Sequence, residues 1–553
     1  METIINRLLR PEFENKQWLF PAEGLACQLH DLTARARYFA AELDALGLQK
    51  GDRVGLVNAN SSDLVALLFA CWWLGVVAVP LKTQGGKFQR LDAAIQRCHA
   101  VCDFSLLILD DEIRLPEIQQ SGQIKTLYLS ELHNKKSDIS TPEPCVLDAD
   151  DMALIQFSSG STGHPKGVIV THGMMMAQLK NLEIQATRPL ADHRVTCYAS
   201  WAPINHDMGL FMGVLSPVYH GAHNILVPPA YYVRNPMRWF ELMAKHQVQV
   251  AMFTNSVLAK SLPVLGRKLA QQALDLSQCH LYLGAEKVSA RVVEAAYQVL
   301  GPYFGGEKNL YIGYGMAENG LGVTTTFPGK LTMIQAQIAA DGEVTVLTPG
   351  STQGNTFVAV GYPYPHNEVT IHDAQGSRLP ERVLGEIYIQ SNSLTPGYFN
   401  NKAQTERVLS NGCFKSGDLG FFHDGQLYFH SRKDDLIILG GQNIVPDDIE
   451  QVVEELAFIR PSSTTLFATE AEQNGLQQLY LLVESNHTLS AEVARSRKNA
   501  IINHVFVELG VMLNGVYLCT KGTIEKTSSG KKRRKVIKQR FMDNQVQLVS
   551  ADE

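Results

Sequence analysis

The sequence lacks the features that mark several large classes of protein. Only nine cysteines occur in 553 residues, at 27, 71, 98, 102, 145, 197, 279, 413 and 519, and none forms a CxxC pair. An odd count without regular spacing excludes a disulfide scaffold and argues against a paired-CxxC zinc module. Cys98, His99 and Cys102 sit close together, but no second ligand pair follows. A zinc site stays open there, with buried reduced thiols the simpler reading. Charged residues make up 19%, and 49 basic against 55 acidic residues leave a net charge of -6. No global positive excess exists, so a nucleic-acid binder working by bulk charge is not expected. The 43 glycines and 23 prolines are ordinary usage, which excludes collagen-like and linker-dominated chains. No internal repeat of roughly 20–50 residues is present. The N-terminal METIINRLLRPEFENK has no apolar core of the signal-peptide kind, and a reducing cytoplasm is expected.

What is there is ample apolar material, 45% of residues, enough for large cores. At roughly 100–200 residues per domain, two to four folded units are expected. One run, Leu64 to Leu81, is apolar for 18 residues and reaches the lower edge of a membrane span. A soluble reading explains it better. Asn60, Ser61, Ser62 and Asp63 predict a helix start, and Gly75 its stop. Val76–Val79 then reads as a buried β-branched strand ended by Pro80, so no membrane span is expected.

Strand-like and helix-like stretches alternate from about residue 25 to 430, which predicts an α/β fold with substantial parallel sheet. Ala153–Phe157, Asn224–Val227, Val248–Phe253 and Leu281–Leu283 are strand candidates. Pro116–Leu147 is polar and turn-rich and reads as surface structure. Near 365–432 the texture becomes short strands and turns, a β subdomain, and 433–553 reads as a small α+β domain.

The densest chemical signal is Phe157-Ser-Ser-Gly-Ser-Thr-Gly-His-Pro-Lys166-Gly167. Gly160, Gly163 and Gly167 let backbone amides approach an anion, since no Cβ intervenes. Ser158, Ser159, Ser161 and Thr162 add hydroxyl donors and Lys166 a positive charge. The composition suits a polyphosphate. It is not a Walker A loop, because the lysine follows proline and no Ser or Thr comes after it.

This loop resembles the Ser/Thr/Gly loop ending Pro-Lys-Gly of the adenylate-forming enzymes, which include acyl-CoA ligases, peptide-synthetase adenylation domains, luciferases and fatty acyl-AMP ligases. Further motifs follow in that family's order across about 500 residues. Gly313-Tyr314-Gly315-Met316-Ala317-Glu318 resembles the Tyr-Gly-x-x-Glu motif. The resemblance implies that Tyr314 lies near adenine and that Glu318, with Thr162, holds Mg²⁺ against ATP. Ser416-Gly417-Asp418 resembles Thr-Gly-Asp, and implies that Asp418 accepts hydrogen bonds from both ribose hydroxyls. Ser431-Arg432-Lys433-Asp434-Asp435 resembles the hinge motif with Ser for Gly. It implies that Arg432 orients the nucleotide and that Asp434 is where the C-terminal domain rotates. Lys526-Thr-Ser-Ser-Gly-Lys531 resembles the C-terminal motif, and implies that Lys531 bridges carboxylate and α-phosphate. A basic run on a solvated tail is the alternative for Lys531–Lys535.

Other segments select a branch. Ser200-Trp-Ala-Pro-Ile-Asn-His206-Asp207-Met208-Gly-Leu210 resembles the His-Asp-Met-Gly-Leu stretch of fatty acyl-AMP ligases. His206 is implied near the carboxylate or at the acyl pocket, where Asp207, Met208, Phe211 and Phe253 are further candidates. Leu283-Gly284-Ala285-Glu286 resembles the Gly-Ala-Glu loop bordering adenine and the acyl pocket. Gly440-Gly441-Gln442-Asn443 and Pro446 resemble a loop implied to approach the pantetheine tunnel. Gly329 to Asn355 resembles an insertion of the acyl-AMP ligase branch, linked there to poor use of CoA and handover to an acyl carrier protein. The resemblance therefore implies an ATP- and Mg²⁺-dependent ligase that activates a carboxylic acid and passes it to a separate carrier protein. Acyl-CoA ligation is the alternative. A non-catalytic adenylate-binding relative is disfavoured, because Lys531, Glu318 and Asp418 are all present. The chain ends about 20 residues after Lys531, so no carrier domain is expected on it.

Overall fold

The computed structural model describes residues 2–83, 88–134, 140–158, 165–187, 195–269, 271, 274–304, 309–327, 329, 331–351, 354–439, 442–470, 477–486, 489–526 and 532–549. The predicted α/β character holds. One six-stranded sheet runs in the order Thr126–Tyr128, Leu106–Leu109, Arg53–Val57, Val77–Pro80, Met152–Ser158 and Lys166–Thr171. Its neighbours are parallel except the last pair. A second sheet has a parallel core of Leu310–Gly315, His280–Gly284, Val250–Thr254, Cys197–Ser200, His223–Leu226 and Gln17–Phe20.

The β region differs from the expectation. Beyond Leu310–Gly315 the same sheet turns antiparallel, through Gly322–Thr325, Asn355–Pro363, Gln426–Arg432, Cys413–His423, Gly385–Ser391 and Asn367–His372. It begins near 322 rather than 365 and is hydrogen-bonded into the parallel sheet. Its first strand is only four residues long, too short to show a period in the sequence.

The apolar run folds as its caps predict. Ser61 Oγ accepts a hydrogen bond from the Leu64 amide at 3.1 Å, starting the helix Ser62–Leu74. Gly75, at φ +71°, stops it, and Val77–Pro80 is a buried strand. A Cβ at Gly75 would meet Lys50 and Cys145 as well as strain the backbone. The run is apolar because it is core on every side. Among the described residues no helix is long and apolar enough to cross a membrane.

The segment 116–147, expected at the surface, and the expected insertion after Gly329 both contribute strands to sheets. Within 116–147, Thr126–Tyr128 forms a parallel edge strand between the short helices Pro116–Ser121 and Leu129–His133. Met333–Ile338 and Val344–Val346 form a hairpin laid against Asn355–Pro363. Ala336 and Val344 bury themselves against Phe357, Ala359, Phe421 and Tyr428. Alternation in MIQAQI supplies the buried face.

Residues after 433 form a two-stranded ribbon, Ile437–Leu439 with Gln442–Ile444, and a three-stranded sheet of Thr464–Glu470, Gln477–Ser485 and Gly515–Thr520. The helices Pro446–Val453 and Ala491–Leu509 share a core with that sheet through Ile449, Val453, Ile501 and Val505. All nine cysteines are unpaired. His99 Nδ1 accepts from the Phe104 amide, Cys102 donates to the Cys98 carbonyl, and no group of three metal-type ligands among the described residues includes them.

Candidate active site

A cavity of about 1460 Å³ opens at the carboxyl ends of Val250–Thr254, His280–Gly284 and Leu310–Gly315. Parallel α/β sheets place ligands at that edge, because strand ends and helix starts meet there. Gly284, Ala285, Glu286 and Gly313 through Glu318 all line it, as do Asp418, Arg432 and Asp434. The motifs from four separate stretches of chain therefore converge on one space.

At one wall, Tyr314 donates its phenol hydrogen to Asp418 Oδ2 at 2.8 Å. Burial, then the Asp418 charge, pushes the Tyr314 phenol well above its ordinary pKa, so it keeps its proton. Asp418 is 4% exposed, and its other oxygen, Oδ1, has no hydrogen-bond partner among the described residues. Arg432 Nε is the nearby cation, 3.4 Å from that oxygen but outside hydrogen-bond geometry. A buried carboxylate oxygen without a donor is costly unless a ligand supplies one. Two hydroxyls of a ribose are such donors.

The backbone beside it is shaped for close approach. Ala285 sits at φ +70°, a strained conformation for a residue with a side chain. Glu286 accepts from the Ser256 amide and so fixes the loop. Gly315 stands at a bulge where a Cβ would lie 1.8 Å from the Leu321 carbonyl oxygen, so only glycine fits.

A second wall is built on Glu318, in the turn Ala317–Asn319. Its Oε1 accepts from Tyr398 Oη at 2.7 Å, and its carbonyl from the Thr395 amide at 2.8 Å. Asn319 is buried and donates to the Gly322 carbonyl, while Gly320 takes φ +78°, which explains the Asn-Gly pair there. Lys166 Nζ lies 5.6 Å over the Tyr398 ring and lines the same cavity, with Arg407 nearby. Burial lowers the Lys166 pKa, while the Glu318 charge opposes that shift. An oriented carboxylate beside cations on a cavity wall fits a hard divalent ion bridging phosphates. The loop residues Ser159, Gly160, Ser161, Thr162 and Gly163, and the catalytic candidate Lys531, lie outside the described residues. Ser158 ends the strand Met152–Ser158 that feeds that loop.

On the acid side, His206 caps the helix Asp207–Leu210, with its Nδ1 against the Asp207 carboxylate. His206, Asp207, Met208 and Met212 line the cavity. Phe211 and Phe253 do not, which corrects the expectation for both. Phe253 alternates with Met252 on its strand, and Met252 faces the cavity. Phe253 thus turns to the opposite face, stacking on Phe240 and packing at an angle against Trp201 and edge-on against Tyr232. Phe211 is one helical step from Met212 and packs in the core near Gly320. Sequence reading missed Tyr398, Arg407, Tyr198, Met252 and Tyr282, which also face this space. No local pattern signals them; Tyr398 is 80 positions from the glutamate it orients.

The basic run is not a solvated tail. Lys532 pairs with Glu450, Arg533 with Glu525, and Arg534 with Asp435, Asp447 and Glu450. Lys535 approaches Asp434 at 3.6 Å, and both are half exposed. Lys532 to Lys535 all border the cavity.

Residues 27–399 match the family of AMP-binding enzymes. The chain is 28% identical over 549 residues to the medium-chain-fatty-acid acyl-carrier-protein ligase JamA of Moorena producens, covering 93% of this chain and 89% of that one. It is 27% identical over 531 residues to a putative acyl-CoA synthetase of Caulobacter vibrioides, covering 92% and 89%. A fatty acyl-adenylate ligase structure, from work on the E. coli and L. pneumophila enzymes, superposes with a TM-score of 0.87 at 27% identity, covering 99% of this chain and 98% of the other. The family match spans more than half the chain and contains the wall built by Tyr314 and Glu318; the chain belongs to the AMP-binding enzymes and is an ATP-dependent, adenylate-forming acid ligase.

Proposed function

We propose that the protein is an acyl-AMP ligase that activates a fatty acid with ATP and delivers the acyl group to the phosphopantetheine thiol of a separate acyl carrier protein. The carboxylate attacks the α-phosphate, the bond to the β-phosphate breaks, and pyrophosphate leaves. The thiol then displaces AMP from the mixed anhydride. Asp418 carries the nucleotide half of this reading, since its buried, undonated Oδ1 fits ribose hydroxyls. Tyr314 holds the carboxylate in place and borders the adenine, and Arg432 orients the nucleotide. Lys166 and Arg407 meet the phosphates.

Glu318, set by Tyr398, and Thr162 would hold Mg²⁺. When bound, that ion neutralises charge on the phosphate oxygens. His206 meets the carboxylate at the mouth of the acid arm, and Lys531 stabilises the charge that spreads as carboxylate and phosphate approach. Residues 1–432 act as the adenylate-forming body and 433–553 as the lid, with Asp434 at the hinge. Nine unpaired thiols suit a reducing cytoplasm. A carrier protein rather than CoA is favoured as acceptor, because the hairpin at 333–346 is built into the sheet and Asn355, which opens the strand it pairs with, reaches Asp448 of the lid.

The test is pyrophosphate release with a panel of acids, followed by thioester formation with CoA or a carrier protein. Acid-dependent release with transfer to carrier protein is expected. Fast acyl-CoA formation would replace the acceptor; Lys531→Ala should abolish pyrophosphate release, and turnover near wild type would refute the site.

A further inference from the structure

Beyond the nucleotide wall the same cavity is lined by the parallel sheet and by the helices that follow His206, and among the described residues its lining goes no deeper on them than Tyr198, Val250 and Ser216. Its sheet wall is read from register. Val250 and Met252 face inward on one strand, Tyr282 lies beside Met252, and Tyr198 lies beside Val250. Its helical wall is Met208, Met212 and Ser216, each four positions after the last. Leu182 closes a further side. The floor is Tyr198, 1% exposed, whose hydroxyl is tied to His220 Nδ1 at 3.0 Å. His220 is the next position in the same four-residue series, and the two rings stack at 5.8 Å.

Two independent rulers measure the arm. From Thr254, level with Gly284 at the nucleotide end, to Val250 is four strand residues, about 13 Å. From Met208, beside His206, to Ser216 is eight residues, about 12 Å at most, since Phe211–Leu215 among them forms a wider π-helical turn. An extended chain advances about 1.2 Å per bond, as the reach of the polypeptide backbone shows. The arm therefore accepts about ten carbons before it meets the floor. Leu182, Met212, Val250 and Met252 offer no charge to a substrate, and the Tyr198 hydroxyl meets His220 Nδ1.

We propose that this protein selects unbranched, medium-length acids of about eight to twelve carbons with an apolar far end, and that Tyr198, Val250 and Ser216 set the length limit. The proposal rests on the acyl-activating reading above and names the substrate class of that site. A charged far end, as in a dicarboxylic acid, is excluded, because its carboxylate would be buried without a partner.

Two readouts test it on the full-length protein: pyrophosphate release with straight acids from four to eighteen carbons, and calorimetric binding of the matching acyl-sulfamoyl adenosines, which need no turnover. Both are expected to peak near ten carbons, with the sixteen-carbon member about 10-fold or more weaker. Ser216→Leu, which fills the arm two turns below Met208, should move both optima shorter by about three carbons. Val250→Ile, a milder filling at the same depth, should move them the same way by less. An optimum at sixteen carbons or longer, a preference for an aromatic or dicarboxylic acid, or length profiles unmoved by both variants overturns the proposal. Length-selective binding without any pyrophosphate release supports the measuring arm and overturns ATP-driven activation instead.

Discussion

Lys287 Nζ lies 2.6 Å from Asp448 Oδ1, joining the loop after His280–Gly284 to the helix Pro446–Val453, 161 positions further along the chain. Asn355 donates to the other oxygen of the same carboxylate at 3.4 Å. The two charged side chains are 14% and 20% exposed, between a surface pair and a buried one. Lys287→Ala should therefore cost about 1–2 kcal/mol at this contact. Faster proteolysis of the segment after 433 is the expected sign. A double-mutant cycle with Asp448→Ala checks it, and strict additivity would mean the pair does not couple.

Asp418→Asn keeps the shape and the Tyr314 contact but removes the charge and one acceptor. The ATP-dependent kcat/KM should fall about 100-fold, because hydrogen bonds to a charged group are worth about 1.5–3 kcal/mol each. The loss should appear with ATP and leave the melting temperature nearly unchanged. Steady-state kinetics at varied ATP, with a thermal melt alongside, decide this.

Glu318→Gln and Tyr398→Phe separate holding from aiming. The first should raise the Mg²⁺ concentration needed for half-maximal rate and cut turnover by about 100-fold. The second removes one 2.7 Å hydrogen bond and should cost about 10-fold, with a smaller change in Mg²⁺ requirement. Metal titrations of both variants would contradict the assignment if Tyr398→Phe were the more severe.

Lys526 gives a pH prediction. Burial, then the Lys260 ammonium, lowers its pKa to about 7, while its amine donates to Ser462 Oγ at 2.8 Å. Below about pH 7 both folded and unfolded chains carry the proton, and the folded state bears the whole penalty. Between about 7 and the ordinary lysine value, about 10.4, the unfolded chain binds more protons, so stability rises with pH. Lys526→Met should flatten that rise. Melting temperatures of both proteins from pH 6 to 10 measure it, and parallel curves would refute the assignment.

Much of this was legible in the sequence. Caps at Ser61 and Gly75 determined a helix and strand where hydropathy alone suggested a membrane, because capping is local chemistry. Motifs around Tyr314, Glu318, Asp418 and Arg432 picked out residues that the fold brings to one cavity, the proposed nucleotide site. The extent of the antiparallel sheet and the hairpin at 333–346 were not legible, because pairing partners lie far along the chain.

The acid arm shows the division most clearly. The sequence determined that apolar side chains follow His206 and fill Val250–Thr254, but only the tertiary structure decided which of them meet substrate. Strand alternation turns Met252 inward and Phe253 away, and the helix turns Met212 and Ser216 inward and Phe211 away. Periodicity gives two faces without saying which is the core and which is the cavity. That choice belongs to the packing of the two layers, and it makes Tyr198, paired with His220, the end of the space.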